Sequence, residues 1–395
     1  MTKNWFRQLL VGLILLFFGA QVQAHHSQTL VVGDGGANCP EATFTHIQDA
    51  INQASPGMEV HVCAGIYDEV IQIIRPLILT ADPGAILIPQ YLLPNASSLA
   101  TGNPLSAILS AKGVSGVSVS GLTVDASLAA ISECAPDLIG VLFQNSSGTI
   151  EHLTVRNTKL ATSLNGCQSG LGIFVQSGNG GSSEVLVANN RVEGYQKNGI
   201  TANEIGTQVK ITENNVIGLG PTSGAAQNGI QVGYGASGEI VRNFVVNNIW
   251  SPCLSPTQCE FFSTGILVEQ SDGIKVIDNT VGNNQVNIFE DGNECEIRRN
   301  RVYGSVVLGG IEIAGDDCHV DDNRVVNSAL ASIVIFGNGG HVNGNTLVAA
   351  PIGVWESSAS LGTIIAGNKF IDVGTEIVDP NLSPLDAGAA APARD

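Results

Sequence analysis

The chain has 395 residues and a formal net charge of −18, because it carries 35 acidic side chains and only 17 basic ones. Hydrophobic residues make up 44% of the chain, charged residues make up 13%, and 47 residues are glycine. An acidic surface of this kind repels nucleic acid and anionic lipid, and it disfavours polyanionic polysaccharides unless a cation mediates the contact. The composition excludes a nucleic-acid partner and fits an apolar-cored repeat protein with many tight bends.

The first 24 residues are typical of a targeting segment. Lys3 and Arg7 precede an apolar run at residues 9–18, and residues 22–24 (Val-Gln-Ala) offer a cleavage site. The apolar run is too short for a good membrane span, and no other segment qualifies as one. We predict a signal peptide over residues 1–24, cleaved after Ala24, and a secreted or periplasmic protein without a membrane span.

A short helix is predicted at residues 44–57. It places four apolar side chains on one face: Ile47, Ala50, Ile51 and Ala54. A strand at residues 59–62 and the block Gly65-Ile-Tyr67-Asp-Glu69 follow it. Because the open end of a repeat core must be covered, we interpret this segment as a capping helix.

From residue 190 onward one tripeptide returns: asparagine, any residue, then an apolar residue. We call its first residues the ladder asparagines; they recur every 21 to 36 residues, as Asn190, Asn215, Asn243, Asn279, Asn300, Asn323, Asn345 and Asn368. A second motif, usually Gly-Ile followed by alternating apolar residues, runs in phase with them, as at Gly172, Gly229 and Gly310. Such a period fits three short strands and three bends per coil. We predict one parallel β-helix domain of about ten coils over residues 25–383, with asparagines at the bends hydrogen-bonding along the axis, and a disordered Ala/Pro-rich tail at 384–395.

Together these features resemble the pectate-lyase-like superfamily, and especially the exported right-handed β-helix repeat proteins of bacteria. The helix, the Gly65-x-Tyr67-x-Glu69 block and the repeats extend the resemblance over residues 29–380. The resemblance implies an all-β fold, a right-handed parallel β-helix with an N-terminal capping helix, in which Tyr67 and Glu69 have structural roles.

The known activities of this superfamily do not transfer residue by residue. Pectin methylesterases share the Gly65-x-Tyr67-x-Glu69 block, but their later catalytic blocks are missing, and so is the Asp-Pro-His-Asp signature of alginate C5-epimerases. Gly315-Asp-Asp-Cys318 looks like the Asp-Asp pair of polygalacturonases, but it follows its Gly-Ile strand instead of opening it, so we interpret it as a turn. If the protein is an enzyme, the resemblance implies a polysaccharide lyase or a glycoside hydrolase.

Eight cysteines in an exported chain are expected to form disulfides. Cys295 and Cys318 each lie five residues before a ladder asparagine, so they occupy one column on adjacent rungs, at a spacing that a disulfide accepts. The other cysteines bracket the capping helix and first strand (Cys39 and Cys63), lie in two successive loops (Cys134 and Cys167), or close one insertion (Cys253 and Cys259). A metal cluster is disfavoured, because no short Cys-x-x-Cys spacing occurs.

One face of the predicted coil has the features of a sugar-binding surface. In the Gly-Ile strands, the residues two and four after Gly are expected to point outward, and these columns carry amide and aromatic side chains that suit sugar rings. The long insertions at 125–139, 156–171, 218–228 and 246–264 leave from one corner and are expected to wall a groove beside this face. The predicted substrate-binding residues are Phe174, Gln231, Phe289, Trp250 and Lys197.

Three acidic residues lie on consecutive rungs of that face. Glu269 and Asp291 share a column, with backbones about 5 Å apart, and Glu312 is offset by two residues. Carboxylates at this spacing share a proton or hold a cation. We predict Glu269, Asp291 and Glu312 as catalytic residues for glycosidic cleavage and Glu269 and Asp291 as ligands of Ca²⁺; a solvated acidic patch is the alternative.

The sequence thus predicts an exported β-helix protein that binds or processes a polysaccharide or other cell-envelope glycan, neutral or cation-bridged, along this face. Two alternatives stay open: a non-catalytic cell-envelope or surface binding module, and a periplasmic metal-handling accessory protein. The histidines show no common column in the repeat pattern.

Overall fold

The computed structural model describes residues 29–253 and 258–378. The predicted signal peptide (1–24) and the predicted tail (384–395) lie outside these ranges.

The described residues form one α-helix, α1 (Ile47–Gln53), one 3-10 turn (Thr162–Leu164) and many short strands. In chain order the strands are β1 (Leu30–Val32), β2 (Glu59–Val62), β3 (Gly65–Tyr67), β4 (Ile71–Ile73), β5 (Leu77–Ala81), β6 (Ala85–Leu87), β7 (Ala96–Ser97), β8 (Pro104–Lys112), β9 (Ser115–Ser120), β10 (Thr123–Asp125), β11 (Asp137–Gln144), β12 (Ser147–Glu151), β13 (Thr154–Arg156), β14 (Leu171–Gln176), β15 (Ser183–Ala188), β16 (Arg191–Glu193), β17 (Asn198–Asn203), β18 (Thr207–Thr212), β19 (Asn215–Thr222), β20 (Asn228–Gly233), β21 (Ser237–Val241), β22 (Phe244–Trp250), β23 (Thr264–Glu269), β24 (Lys275–Ile277), β25 (Thr280–Gly282), β26 (Val286–Glu290), β27 (Glu296–Arg298), β28 (Arg301–Tyr303), β29 (Ile311–Ile313), β30 (His319–Asp321), β31 (Arg324–Val326), β32 (Ala331–Ile335), β33 (His341–Asn343), β34 (Thr346–Val348), β35 (Ile352–Glu356), β36 (Ile364–Ala366), β37 (Lys369–Ile371) and β38 (Thr375–Val378).

Three long parallel sheets run side by side along one axis, and each full coil contributes one strand to each sheet. Sheet 1 runs from β1 through β2 and β5 to β36, sheet 2 runs from β3 through β6 to β37, and sheet 3 runs from β4 through β8 to β38. The sheets hold 13, 12 and 13 strands, so the solenoid has more rungs than the ten or so expected. The additional rungs precede Asn190, where the asparagine motif does not mark them.

Aliphatic side chains stacked from rung to rung fill the interior. In sheet 3, for example, Ile200, Ile230, Ile266 and Ile288 are successive partners, and all four are fully buried. β-Branched side chains pack well on a pleated surface, and each coil buries its apolar residues only against its neighbours. The result is one continuous core along the solenoid.

The asparagine ladder is present, with two differences from the prediction. Asn300 is representative, because its Nδ2 donates to Asn323 Oδ1 at 3.0 Å and to the Val276 carbonyl at 2.8 Å. On the second rung the ladder residue is Asn214 and not Asn215; Asn190 Nδ2 donates to Asn214 Oδ1 at 2.9 Å. The left-handed bend residue is the one before the ladder asparagine, so the asparagine itself is a buried hydrogen-bonding residue.

Helix α1 covers the N-terminal end of the core with Ile47, Ala50 and Ile51. The Glu69 carboxylate accepts hydrogen bonds from the Ile47 and Gln48 amides at 2.9 and 3.0 Å, which supplies acceptors for otherwise unpaired groups at the helix N-terminus. The Tyr67 hydroxyl donates to the Cys63 carbonyl at 2.7 Å. Both residues therefore have the structural roles that the sequence indicated, and α1 is shorter than the predicted 44–57.

The four disulfides expected from the sequence are confirmed. They join Cys39 to Cys63, Cys134 to Cys167, Cys253 to Cys259 and Cys295 to Cys318, with Cα–Cα distances of 4.5 to 6.1 Å. This many disulfides is what an exported chain of this kind forms. Within the described residues, no helix combines the length and apolar character needed to span a bilayer.

Candidate functional site

In sheet 3, the side chains two residues after the motif Gly form a column in the predicted register, but they are less exposed to solvent than predicted. Phe174, Thr201, Gln231, Leu267, Phe289 and Glu312 pair in this order on successive strands. Other parts of the chain cover much of this column. We call β14, β17, β20 and β23 the groove half of sheet 3, and β26, β29, β32 and β35 its covered half.

A groove of about 660 Å³ lies over the groove half and extends to Asp137 and Ile139 on β11 and Leu105 on β8. Up to three positions on each strand of the groove half face it: the residue before the motif Gly and the residues two and four after it. The floor residues are Leu171, Phe174 and Gln176 on β14, Asn198, Thr201 and Asn203 on β17, Asn228 and Gln231 on β20, and Thr264, Leu267 and Glu269 on β23. The middle of the floor is therefore polar, and its ends carry Phe174 and Leu267.

Side-chain amides are linked across the middle of this floor. Asn198 Nδ2 donates to Gln231 Oε1 at 2.8 Å, and Asn228 Nδ2 donates to Asn198 Oδ1 at 3.2 Å. Gln231 Nε2 donates to Asn203 Oδ1 at 3.3 Å. These bonds fix the orientation of the amides, each of which has two donor hydrogens and an acceptor oxygen.

The Thr201 hydroxyl lies in the same floor and is the least satisfied polar group there. Thr201 is only 1% exposed, and its Oγ1 has no hydrogen-bond partner within the described residues. A buried hydroxyl without a partner is destabilising.

The corner insertions form one wall of the groove, as predicted, through Gln168, Ala226, Phe261 and Phe262. Trp250, predicted to contact substrate, instead supports this wall from behind. It is 5% exposed, its Nε1 donates to the Gly224 carbonyl at 3.1 Å, and its ring meets Phe261 edge-on at a centroid distance of 5.5 Å.

A segment that the sequence did not indicate covers sheet 3 on the N-terminal side of the groove. Ala96 packs against the apolar cluster that contains Phe174. The Leu99 amide donates to Gln176 Oε1 at 2.9 Å, and Gln144 Nε2 donates to the Ser97 carbonyl at 2.8 Å. Phe174 is consequently 7% exposed, although it still lines the groove.

On the other side of the groove two predicted site residues are buried beneath residues 304–309. Leu308 packs on Phe289, which is 3% exposed, and the Gly309 amide donates to Glu312 Oε1 at 2.7 Å. Burial raises the pKa of Glu312 to about 7. Phe289 and Glu312 are therefore not on the groove, because the outward direction of a strand position does not ensure contact with solvent.

The predicted acidic trio does not form one site, since only Glu269 lines the groove. The Asp291 amide donates to the carbonyl of Val268, the residue before Glu269, at 3.0 Å. Asp291 is therefore on the rung next to Glu269, but it does not line the groove. Among the described residues, two groups of three potential metal ligands lie within 4.8 Å, and neither contains Glu269 or Asp291. Calcium binding by this pair stays a prediction.

The neighbouring Glu290 points into the core. It is fully buried, its Oε1 accepts a hydrogen bond from the Gly292 amide at 3.2 Å, and its Oε2 has no partner within the described residues. Burial raises the pKa of Glu290 well above its ordinary value. It lies three residues after Asn287, which occupies the motif Gly position. Its partners in that column on the next two rungs, Ile313 and Ile335, are apolar, and Glu356 follows them.

Three carboxyl groups and one ammonium group line the groove. Lys197 is on it, as predicted, together with Asp137, Glu204 and Glu269. Burial raises the pKa of Asp137 to about 6 and raises that of Glu204. The groove is therefore acidic on balance, and this disfavours anionic ligands.

Asn198 and Asn228 were missed although the sequence contains a signal for them. Each directly precedes a motif glycine, in the repeated string Asn-Gly-Ile at residues 198–200 and 228–230. The residues directly before the motif Gly are register partners on successive strands, from Leu171 through the two asparagines to Thr264. They therefore form a third outward column, beside the columns two and four residues after Gly.

The Asp-Asp pair at 316–317 is part of a turn, as we interpreted it. Asp316 Oδ1 accepts hydrogen bonds from the Asn338 amide at 2.7 Å and from its Nδ2 at 3.0 Å. The Asp316 amide donates to Asn293 Oδ1 at 3.0 Å. These bonds make Asp316 a member of an exposed ladder that links the turns after sheet 3.

A histidine pair was also missed. His319 and His341 are register partners on sheet 1, and their rings stack with centroids 4.7 Å apart. His319 Nδ1 lies 3.8 Å from Asp321 Oδ2. Both histidines lie four residues before a ladder asparagine, so their common column was present in the sequence.

Comparison with known structures identifies the architecture. The native crystal structure of GH136 lacto-N-biosidase from Eubacterium ramulus is similar with a TM-score of 0.55 and 12% identity, over 88% of this chain and 67% of that chain. XylC, solved in complex with xylose, has a TM-score of 0.50 and 11% identity, over 91% of this chain and 88% of that chain. This chain is a right-handed parallel β-helix protein with the pectate-lyase-like fold. Identities this low show the fold of the β-helix alone.

A family model also matches part of the β-helix. The family described as periplasmic copper-binding protein (NosD) matches residues 254–379, which is less than half of the chain. No curated protein matches the sequence.

Proposed function

We propose that this protein is exported and binds an uncharged glycan in the groove over β14, β17, β20 and β23. The observation that carries the proposal is the groove floor, in which linked amides and the unpartnered Thr201 hydroxyl lie between Phe174 and Phe262. Sugar rings have apolar faces that pack on aromatic side chains and hydroxyls that pair with amides. An acidic lining favours an uncharged glycan over a uronate polymer.

Thr201→Val is the sharpest test of this binding. Valine keeps the shape but removes the hydroxyl. Because the hydroxyl has no partner in the described part of the chain, the substitution breaks no hydrogen bond there. We expect unchanged stability and about tenfold weaker glycan binding, which corresponds to about 1.4 kcal/mol.

Thr158→Val is the matched control, since Thr158 is buried, has an equally unpartnered hydroxyl within the described residues, and does not line the groove. Calorimetric titration with size-graded gluco-, manno-, xylo- and galacto-oligosaccharides gives the affinities. Equal affinities for both variants and the parent would contradict the proposed site.

Glu269 is the predicted catalytic residue that remains on the groove, and we propose Glu204 as its partner. Glu204 follows Asn203, which is in register with Glu269 two rungs away, so their backbones are about 10 Å apart. Inverting glycosidases hold two carboxyl groups about 6.5–9.5 Å apart, one protonating the leaving oxygen and the other taking a proton from water. The raised pKa of Glu204 suits the acid role.

Product analysis separates an enzyme from a binding module. An enzyme of this kind releases shorter glycans with inverted anomeric configuration, and Glu269→Gln and Glu204→Gln each abolish the release without loss of binding. Binding by the parent protein without any product would assign the groove to a non-catalytic module.

A second candidate function is metal handling, which the match of residues 254–379 to the copper-binding family model favours. The matched segment contains the stacked His319 and His341 with Asp321 beside them. Imidazole nitrogens suit Cu²⁺ and Zn²⁺, and a carboxylate can complete such a site. Among the described residues, the groups of potential metal ligands that lie within 4.8 Å of one another do not include this trio. Because the lone pairs of imidazole nitrogens lie in the ring plane, the stacked rings would have to turn out of their parallel arrangement to bind one ion.

The metal site is tested with Cu²⁺ and with Zn²⁺ on protein in which His25 and His26, which lie outside the described residues, are changed to alanine. We expect one ion per chain, lost in His319→Ala and in His341→Ala and kept in the exposed control His152→Ala. Equal metal content in all variants would contradict a metal site at His319 and His341.

A further inference from the structure

The groove is closed at both ends of its course along the solenoid axis. Toward β11, the Ser97 and Leu99 backbone is hydrogen-bonded to the outward side chains Gln144 and Gln176. Toward β26, Leu308 packs on Phe289 and borders Leu267. The cover segment itself lines this end of the groove through Ser98 and Asn103, and the lining includes Leu105 on β8 and Ile139 on β11. The lining thus spans six successive rungs, from β8 to β23, so a ligand lying along the axis has about 25 to 30 Å available.

One long side of the groove is closed as well. Residues of three corner insertions line it, and contacts between the insertions hold this wall together. The Ala225 amide donates to the Asn165 carbonyl at 2.7 Å, and Trp250 bonds to Gly224 while it packs on Phe261.

The opposite long side has only short turns. Three residues join β17 to β18 and three join β20 to β21, at 204–206 and 234–236. Glu204, Tyr234 and Glu269 line the groove along this edge. The groove therefore opens over this edge, away from the insertions.

We propose that the groove takes the end of an uncharged glycan chain and not the interior of a polymer. This inference rests on the proposed glycan-binding function. The interior of a polymer needs two exits, one for each direction of the chain, and a groove covered at both axial ends and walled on one side offers a single opening. A chain end entering over Glu204 and Glu269 reaches the amide floor with its terminal units enclosed.

Stoichiometry on chains of different length tests this inference with the unmodified protein. The probes are size-graded fractions of glucan, mannan, xylan and galactan, titrated by calorimetry, with the molar concentration of chains measured independently. We expect one protein per chain at every length and an affinity per chain that levels off once the oligosaccharide exceeds about 30 Å.

The possible outcomes distinguish failure of the chain-end inference from failure of the glycan-binding function. A number of bound proteins that rises in proportion to chain length would show interior binding and overturn the chain-end inference, while the glycan-binding function would stand. No binding to any of the four polymers or their oligosaccharides would overturn both.

Discussion

The groove half and the covered half of sheet 3 share one backbone geometry and differ in what lies over them. Two residues after the motif position, the column of the groove half has two polar residues between two apolar ones, and that of the covered half has one acidic and three apolar residues. The members are Phe174, Thr201, Gln231 and Leu267 in the groove half and Phe289, Glu312, Val334 and Trp355 in the covered half. The corners differ as well. Thirteen residues, 251–263, separate β22 from β23, but only three, 349–351, separate β34 from β35.

This difference shows that the repeat determines where side chains point, while the insertions determine what a face can do. In the covered half most outward side chains are apolar, with Glu312 as a buried exception, and they pack on each other; Phe336 and Trp355, for example, meet edge-on at a centroid distance of 5.9 Å. In the groove half, longer insertions stand beside a polar floor and leave it open. Function should therefore reside in the groove half, and stability should respond to both.

The largest expected effect concerns the framework that both halves share. Asn300→Ala removes the side-chain bonds to Val276 and Asn323 and the two bonds that Asn279 donates to Asn300. Because several buried partners lose their hydrogen bonds, the free energy of unfolding should fall by about 5 kcal/mol. Denaturant titration measures it, with the exposed Asn343→Ala as control. An equal, small effect of both changes would refute the ladder as a source of stability.

Trp355→Ala tests whether the covered half is structural only. Removing this buried ring from its cluster with Ala331 and Val334 should cost about 4 kcal/mol of stability and leave glycan affinity unchanged, because none of the residues of this cluster lines the groove. Phe244→Ala, on an exposed phenylalanine of sheet 2, should cost much less. A loss of affinity in folded Trp355→Ala protein would place ligand contacts in the covered half.

Glu312 should make the stability of the covered half depend on pH. Its pKa is about 7 in the folded protein against an ordinary value of 4.5, so the folded state holds the proton more tightly. The free energy of unfolding should therefore fall by about 3 kcal/mol as the pH rises from about 4.5 to about 7 and then level off.

Glu312→Gln should remove this part of the pH dependence, as measured by denaturation at both ends of the range. The exposed Glu376→Gln should retain it. The same dependence in Glu312→Gln and the parent would show that Glu312 is not the group responsible.

The smallest expected effect is the one specific to the groove half. Gln231→Ala removes the amide that links Asn198 and Asn203. It should weaken glycan binding about tenfold, or about 1.4 kcal/mol, and lower the free energy of unfolding by about 1 kcal/mol because these partners lose a hydrogen bond. Gln208→Ala, on the exposed face of sheet 1, is the control. Weaker binding in both variants would indicate a nonspecific effect.

The fold, the column register and the disulfides could be predicted because they follow from period alone. Residues such as Cys295 and Cys318, at equal distances from ladder asparagines, become neighbours in any solenoid of this period. Exposure could not be predicted in the same way, because Phe289 and Glu312 are buried by residues 304–309, whose path is not periodic. The cover at 96–99 escaped prediction for the same reason, since it returns over sheet 3 from an irregular segment.

Within the site, prediction succeeded where a residue occupied a repeated column and failed where tertiary contacts decided. Gln231, Phe174 and Glu269 were placed correctly on the groove by register. Trp250 was not placed correctly, because its ring lies behind the wall, where it donates to the Gly224 carbonyl and packs on Phe261. Asp137 and Glu204 lie at the ends of strands, outside any repeated motif.

A crystal structure with the tightest-binding neutral oligosaccharide tests the central claim most directly. We predict glycan density on the groove half, with a ring against Phe174 or Phe262 and a sugar hydroxyl within hydrogen-bonding distance of Thr201. Glycan density over the covered half, or only on sheets 1 and 2, would contradict the account.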